Sequence, residues 1–306
     1  MRKGGKGWPE ATAPLDGPAA QGSACSYYEV YFAIRKSVKI GSQANRSSSI
    51  SASNAETILV RGHDLVRDLI GRIGFTDHIW LLVAGAMPTP AQRRILDATL
   101  VAISEHGLVP SVVASRMTLA AAPDALQGAV AAGILGCGSV VLGSSEAAGQ
   151  FLSEVVAHAA SADIRAAATA VTREYRAAKR TIPGYGHPLH KEYDPRARRL
   201  LEIAREAGVA GRHCEAATVV AELLPSITGK ELPMNVSGAI PAALLDAGFP
   251  LQALKGVPII ARTASLVAHL LEELQRPVGF VLSHAAAAAV GYDGRAPAGF
   301  VPTANQ

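Results

Sequence analysis

The sequence predicts a mainly α-helical globular protein, and three observations carry that prediction. Apolar residues make up 49% of the 306 positions but aromatic ones only 5%. The core is therefore built largely from Ala, Leu, Val and Ile, which suits close helix packing better than a β-sandwich. Apolar residues also recur with helical spacing, as at Leu65, Leu69 and Ile73. Helix punctuation is complete in "TPAQRRILDATLVAISEHG", with Thr89 as N-cap, Pro90 at the first helical position and Gly107 after the last turn.

Taken in order, residues 1–44 read as a flexible leader. Its opening "MRKGGKGWPEATAPLDGPAAQGSACS" is basic but has no apolar run of the signal-peptide kind. "SYYEVYFAI" within it has the residues of a short strand. "GSQANRSSSISASNAE" is Ser/Asn-rich and reads as loop. From there the signals are helical: "RGHDLVRDLIGRI", then "FTDHIWLLVAGAMPTP" with Thr76 as cap and Gly85 as stop, then the helix after Thr89. Further helices are expected at 124–136, 145–160, 162–180, 194–207, 212–224, 237–247 and 251–274. "QGAVAAGILG" is small and apolar all round, which implies burial deep inside or at a subunit interface.

The formal charge of +4 is not gathered into Lys/Arg blocks. It argues against nucleic acid and suits an anionic small molecule, a carboxylate or a phosphate-bearing coenzyme. Cys25, Cys137 and Cys214 are widely spaced and odd in number. They give no disulfide framework and no zinc pattern, so a reducing cytoplasm is expected. No uninterrupted apolar run reaches the ~18 residues of a membrane span, so no membrane partner is expected.

The polar groups concentrate in "TIPGYGHPLHKEYDPRARRL", residues 181–200. Pro183, Gly184 and Gly186 shape a backbone that can approach a ligand closely. His187 offers an imidazole to a substrate oxygen. Asp194 and Pro195 open a helix, and Arg196 projects from its first turn. An imidazole and a guanidinium at one helix start suit a carboxylate, although the same groups also serve as plain capping. His187, His190 and Asp194 raise a metal site, but Pro188 and the glycines keep both rings off one helical face, so no metal is expected.

Three further places matter. His106 stands at a helix end before Gly107, where it can serve a ligand or the helix dipole. Arg262 and His269 lie seven apart in a strongly apolar helix, facing one cleft or an internal salt bridge. "LPMNVSGAIP" is a turn into a helix with Ser237 as the expected N-cap.

Together these stretches resemble the citrate synthase superfamily, in particular its short citryl-CoA-lyase-like members. The similarity runs over roughly residues 45 to 295, through "SASNAETILVRGHDLV", "SEHGLVPS", "PGYGHPLHKEYDPRA", "LPMNVSGAI" and "ARTASLVAHLLEE". The resemblance implies a helical homodimer of two domains: a large one of residues 45–189 and 291–306, and an inserted small one of 190–290. It implies a coenzyme A thioester and a polycarboxylate as ligands, and no metal. His187 looks like the histidine on the substrate ketone or hydroxyl. Arg196 and Arg262 look like the carboxylate clamps, with His106 helping and Arg276 resembling an arginine given across the dimer. Pro183, Gly184, Tyr185 and Gly186, with Lys191, look like the coenzyme-binding loop. The implied activity is carbon–carbon cleavage of citryl-CoA or a related acid.

Two departures bear on that activity. Where citrate synthases carry an enol-stabilising histidine, this chain has "CGSVVLGSSEAAG", with Leu142 or a neighbour at the position. Where the family has a catalytic aspartate, the text is "NVSG", with Ser237. Loss of a positioned acid or base typically costs ~10²–10⁴ in rate. The alternatives are a relative that binds CoA or a carboxylate without aldol chemistry, or a condensing enzyme or hydrolase on another acyl-CoA.

Overall fold

A computed structural model describes residues 47–138, 144–159, 163–186, 192–295 and 297–299. The expected leader strand, Leu142, His187, His190 and Lys191 lie outside these. From Ser49 onward the chain forms one compact unit.

The unit opens with a small antiparallel sheet where loop and then helix were expected. Its strands are β1 Ser51–Ser53, β2 Ile58–Val60 and β3 His63–Asp64, in that order. Ser51 pairs with Val60 and Leu59 with Asp64. Strands this short leave no alternation to read; the turns define them instead. The Asn54 side chain accepts the amides of Glu56 and Thr57 at 2.9 and 2.8 Å, an Asx turn. Arg61 and Gly62, with φ of 49° and 85°, make the second turn. Leu65–Leu69, expected as the first turns of a regular helix, is a single π-helical turn. The Asp64 carboxylate caps it by accepting from Val66 and Arg67 N–H. Leu69 still does what its spacing foretold, packing with Val60 and Leu81.

Helix α1 is Phe75–Ala84. Its cap is Gly74 rather than Thr76: the Asp77 carboxylate reaches back to the Gly74 N–H at 3.0 Å, while Thr76 donates to Asp97 of the next helix. Gly85 ends α1 in the left-handed region, at φ 81°. Helix α2, Pro90–Ser104, begins as read, with Thr89 and Gln92 in a reciprocal capping box. Then come α3 Pro110–Ala121, α4 Leu126–Leu135, α5 Ser144–His158, α6 Ile164–Ala177, α7 Pro195–Glu206, α8 Arg212–Thr228, α9 Val236–Asp246, a 3₁₀ turn Leu251–Ala253, α10 Gly256–Gln275 and α11 Gly279–Ala289. Helices α3 and α11 are additions to the predicted set. Neither has a side-chain N-cap, and only α3 carries another start signal, Pro110 at its first position.

The main core runs from Ile79 in α1 to Ala261 in α10 and includes residues on both sides of 190. Fully buried alanines such as Ala168, Ala204, Ala217 and Ala243 let the helices approach closely, as the aromatic-poor composition required. The few rings sit edge to face, Phe151 on Tyr175 with centroids 4.9 Å apart and Trp80 on Phe249 at 5.3 Å. Helix α4 is not deep inside: it buries Ala129 and Gly133, while Leu135 is 85% exposed.

Two buried polar knots join helices. Arg116 of α3 donates to Glu273 of α10 at 2.7 Å, and Glu273 also accepts the Val278 and Gly279 amides at the start of α11. By length and composition alone, Leu251–Gln275 is apolar enough to cross a membrane. Its buried face, however, carries Arg262 and Glu273.

The second knot is Asp246, at the end of α9. Its carboxylate accepts from the amides of Gly211, His213 and Cys214 and from the His213 ring, at 2.6 to 2.9 Å. Burial pushes its pKa up, but the His213 ring and these amides outweigh burial and hold it at about 2, below the usual 3.8. A carboxyl depressed on folding stabilises above its unfolded pKa, and that contribution fades as pH falls through its folded value. We expect Asp246→Asn to lose about 2 kcal/mol near neutral pH. The gap to wild type in urea unfolding should close between pH 4 and pH 2. A gap independent of pH would mean that Asp246 matters for shape rather than charge.

Candidate active site

Local sequence builds the site at the glycine loop. Gly184 adopts φ 89° and touches α9: a Cβ there would lie 2.7 Å from the Gly238 Cα, and one on Gly238 would lie 2.6 Å from the Gly184 carbonyl oxygen. Only two glycines allow these backbones to meet. The contact is sewn by the Asn235 N–H to the Gly184 carbonyl at 3.0 Å, the Gly186 N–H to the Pro233 carbonyl at 2.7 Å, and the Asn235 side-chain amide to the Gly186 carbonyl at 2.7 Å. Tyr185 turns its hydroxyl away to donate to the Ala217 carbonyl at 2.8 Å, and burial raises its pKa.

Asn235, not Ser237, caps α9, since its side-chain oxygen accepts the Ser237 N–H at 2.9 Å. "NVSG" offers two capping residue types two apart, and the first, in extended geometry, takes the role. That frees the Ser237 hydroxyl, which accepts from Ser144 Oγ of α5 at 2.9 Å. Ser144 lines a cleft of ≈ 520 Å³ together with Glu146, Gln150, Pro183, Tyr185 and Lys255 among others. Gly184 lines it too; Gly186 supports the loop from behind.

Asp194 caps α7 as read. It is 1% exposed, and it also accepts the Val236 N–H at 2.9 Å, tying the polar loop to α9. Arg196 grips it with both Nε and Nη2, at 3.0 and 2.9 Å. Burial raises the Asp194 pKa, but the Arg196 guanidinium and the Val236 amide bring it below the usual range. In this arrangement Arg196 neutralises its own cap, and much of its donor capacity is already used.

Arg262 is different. It is 5% exposed, and its Nε and Nη1 have no hydrogen-bond partner among the described residues. Among the described residues Arg262 forms no internal salt bridge. Three and seven residues on, Ser265 and His269 lie on the same face and both reach Glu105 at the end of α2, His269 at 3.0 Å. Glu105 in turn accepts the His106 and Gly107 amides. Burial pushes Glu105 up, but the Ser265 hydroxyl, the Gly107 amide and His269 pull it down to about 2. Glu105 thus fixes the turn of His106 to the helix that carries Arg262. His106 is exposed, and neither it nor Arg262 lines the cleft at the glycine loop. The Arg276 side chain is exposed at the end of α10, and its carbonyl accepts from Arg116.

Sequence reasoning missed Glu105, Ser144, Glu146 and Lys255. Glu105 had a signal, a carboxylate beside the histidine already singled out. The other three become visible only when α5, α9 and the turn before α10 converge. Among the described residues, no group of three or more His, Cys, Asp or Glu side chains could hold a metal ion.

A helical fold with a glycine loop wedged against a helix start, and a buried guanidinium set apart from it, belongs to a known class. The model for the citrate synthase C-terminal domain matches residues 88–278, and the chain belongs to the citrate synthase family. A citryl-CoA lyase from Hydrogenobacter thermophilus superposes with a TM-score of 0.73 at 35% identity, covering 83% of this chain and 97% of that one. A glyoxysomal citrate synthase from Cucurbita maxima is 31% identical over 202 residues, 62% of this chain but only 37% of that protein. An ATP citrate lyase from Methanothrix soehngenii, in complex with citrate and coenzyme A, matches with a TM-score of 0.66 at 20% identity over 86% of this chain and 44% of its own. That last likeness speaks for the fold alone. The resemblance read from the sequence, down to the short citryl-CoA-lyase-like form, agrees with these findings.

Proposed function

We propose that this protein is a lyase acting on citryl-CoA, or on a related hydroxy-polycarboxyl-CoA, that releases acetyl-CoA and an oxo acid. The observation that carries the reading is Arg262, a buried guanidinium whose Nε and Nη1 have no hydrogen-bond partner among the described residues. An uncompensated buried charge costs several kcal/mol, and a substrate carboxylate would relieve it. The loop at Pro183–Gly186 supports coenzyme binding, because Pro183, Gly184 and Tyr185 line the cleft together with the cationic Lys255.

In the cleavage direction the tertiary hydroxyl loses its proton, His187 being the proposed base. The carbon–carbon bond breaks, its electron pair passes to the thioester as an enolate, and the released carbon takes a proton. Ser237, joined to Ser144, would hold a hydroxyl near that carbon rather than a carboxylate. The working unit is proposed to be a cytoplasmic homodimer. The homodimer is supported by exposed apolar side chains on neighbouring helices: Val267, Leu271 and Leu274 on α10, and Phe280 and Val281 on α11.

The test is acetyl-CoA release from citryl-CoA, followed by mass spectrometry, with His187→Ala alongside. Release by wild type that drops ~10²–10⁴-fold in the variant supports the lyase. No release, with CoA still raising the melting temperature, would overturn the lyase in favour of a binding protein. That second reading is favoured by the hydroxyl at Ser237, which has no basicity of its own near neutral pH.

A further inference from the structure

The cleft beside the glycine loop holds two charges of opposite sign that do not neutralise each other. Lys255 and Glu146 both line it and both are half-buried. Among the described residues neither has an ion-pair or hydrogen-bonding side-chain partner, and they form no ion pair together.

Their mounting is rigid. Lys255 follows Leu254, which is fully buried. Leu254 and Leu251 press onto α5 at Gly149, where a Cβ would lie 2.5 and 2.9 Å from their methyls. Helix α5 carries Glu146 and Gln150. One tight contact thus fixes the backbone of both charged residues. Thr181 to Tyr185 line the same cleft.

A purely anionic ligand would satisfy the ammonium and be repelled by the carboxylate. A neutral one would leave the ammonium unmatched. The cleft suits a molecule with an anionic group at one end and N–H or O–H donors along its body. We propose that Lys255 and Glu146 are a bipolar anchor for the coenzyme, with Lys255 taking a phosphate and Glu146 accepting a hydrogen bond from an amide or hydroxyl of the same molecule. The proposal rests on the CoA-thioester reading above and adds the polarity with which the coenzyme lies. A reversed ligand would set phosphate against carboxylate.

The test is calorimetric binding of CoA and of pantetheine, which has no phosphate, to the full chain and to Lys255→Gln, Lys255→Arg and Glu146→Gln. Lys255→Gln should weaken CoA about tenfold or more, the size of one charge-assisted contact. It should leave pantetheine unchanged, and Lys255→Arg should restore most of the loss. Raised salt should narrow the gap between wild type and Lys255→Gln. Glu146→Gln should weaken CoA and pantetheine alike. Wild type that binds CoA while both neutral variants match it would overturn the anchor and leave the CoA reading standing. Equal loss for both ligands in Lys255→Gln would also overturn it, since that marks a change of shape. Wild type that binds no CoA would overturn the CoA reading, and the anchor with it.

Discussion

Replacing Arg262 with methionine is expected to stabilise the unliganded protein and to abolish its response to citrate. The two effects have opposite signs because one group causes both. Without ligand, the guanidinium is buried with Nε and Nη1 unpartnered among the described residues. Methionine fills similar space without a charge, and exchanging buried ionic groups for apolar ones gains ~1–4 kcal/mol in favourable cases. The urea midpoint should rise with its slope unchanged. With citrate or citryl-CoA present, wild type should gain about 2.7 kcal/mol at a hundred times the dissociation constant, and the variant almost none. A variant that is less stable than wild type yet still responds to citrate would show that Arg262 has an internal partner and serves the fold.

Alanine at Gly238 or Gly184 is expected to damage the fold at the site itself. The Gly238 methyl would lie 2.6 Å from the Gly184 carbonyl oxygen, and the Gly184 methyl 2.7 Å from the Gly238 Cα. Both obstacles are backbone, so no rotamer change relieves them. Overpacking costs ~1–3 kcal/mol, and a left-handed non-glycine residue adds about 1–3 kcal/mol at Gly184. Gly184→Ala should therefore be the worse of the two in urea unfolding. Gly62→Ala separates the terms, since Gly62 has φ 85° but nothing within 4 Å of its would-be Cβ. If Gly184→Ala and Gly62→Ala lose the same stability, the close contact is not what Gly184 is kept for.

Much of this was legible in the chain. Thr89, Pro90, Gly85, Asp194 and Pro195 mark helix ends through side-chain chemistry that acts within four residues, and local chemistry is what a sequence displays. The loop around Gly184 was legible for the same reason. The sheet at Ser51–Asp64 was not, because strands of two or three residues are set by turns rather than by periodicity. Ser237 was misread as a cap because Asn235, two residues earlier, has equal claim, and only the geometry at Gly186 decides between them. Lys255 and Glu146 lie more than a hundred positions apart in sequence. Their meeting depends on what Gly149 allows Leu254 to touch, a fact of packing that no local pattern carries.

The Arg116 knot limits how the molecule can move. Sliding α10 by one turn against α3 would strand Arg116 or Glu273 in the interior without its counter-charge, and would pull Glu273 from the amides at the head of α11. These three helices therefore travel as one body. Any approach of Arg262 to a ligand held by the glycine loop would therefore carry α3 and α11 along with α10.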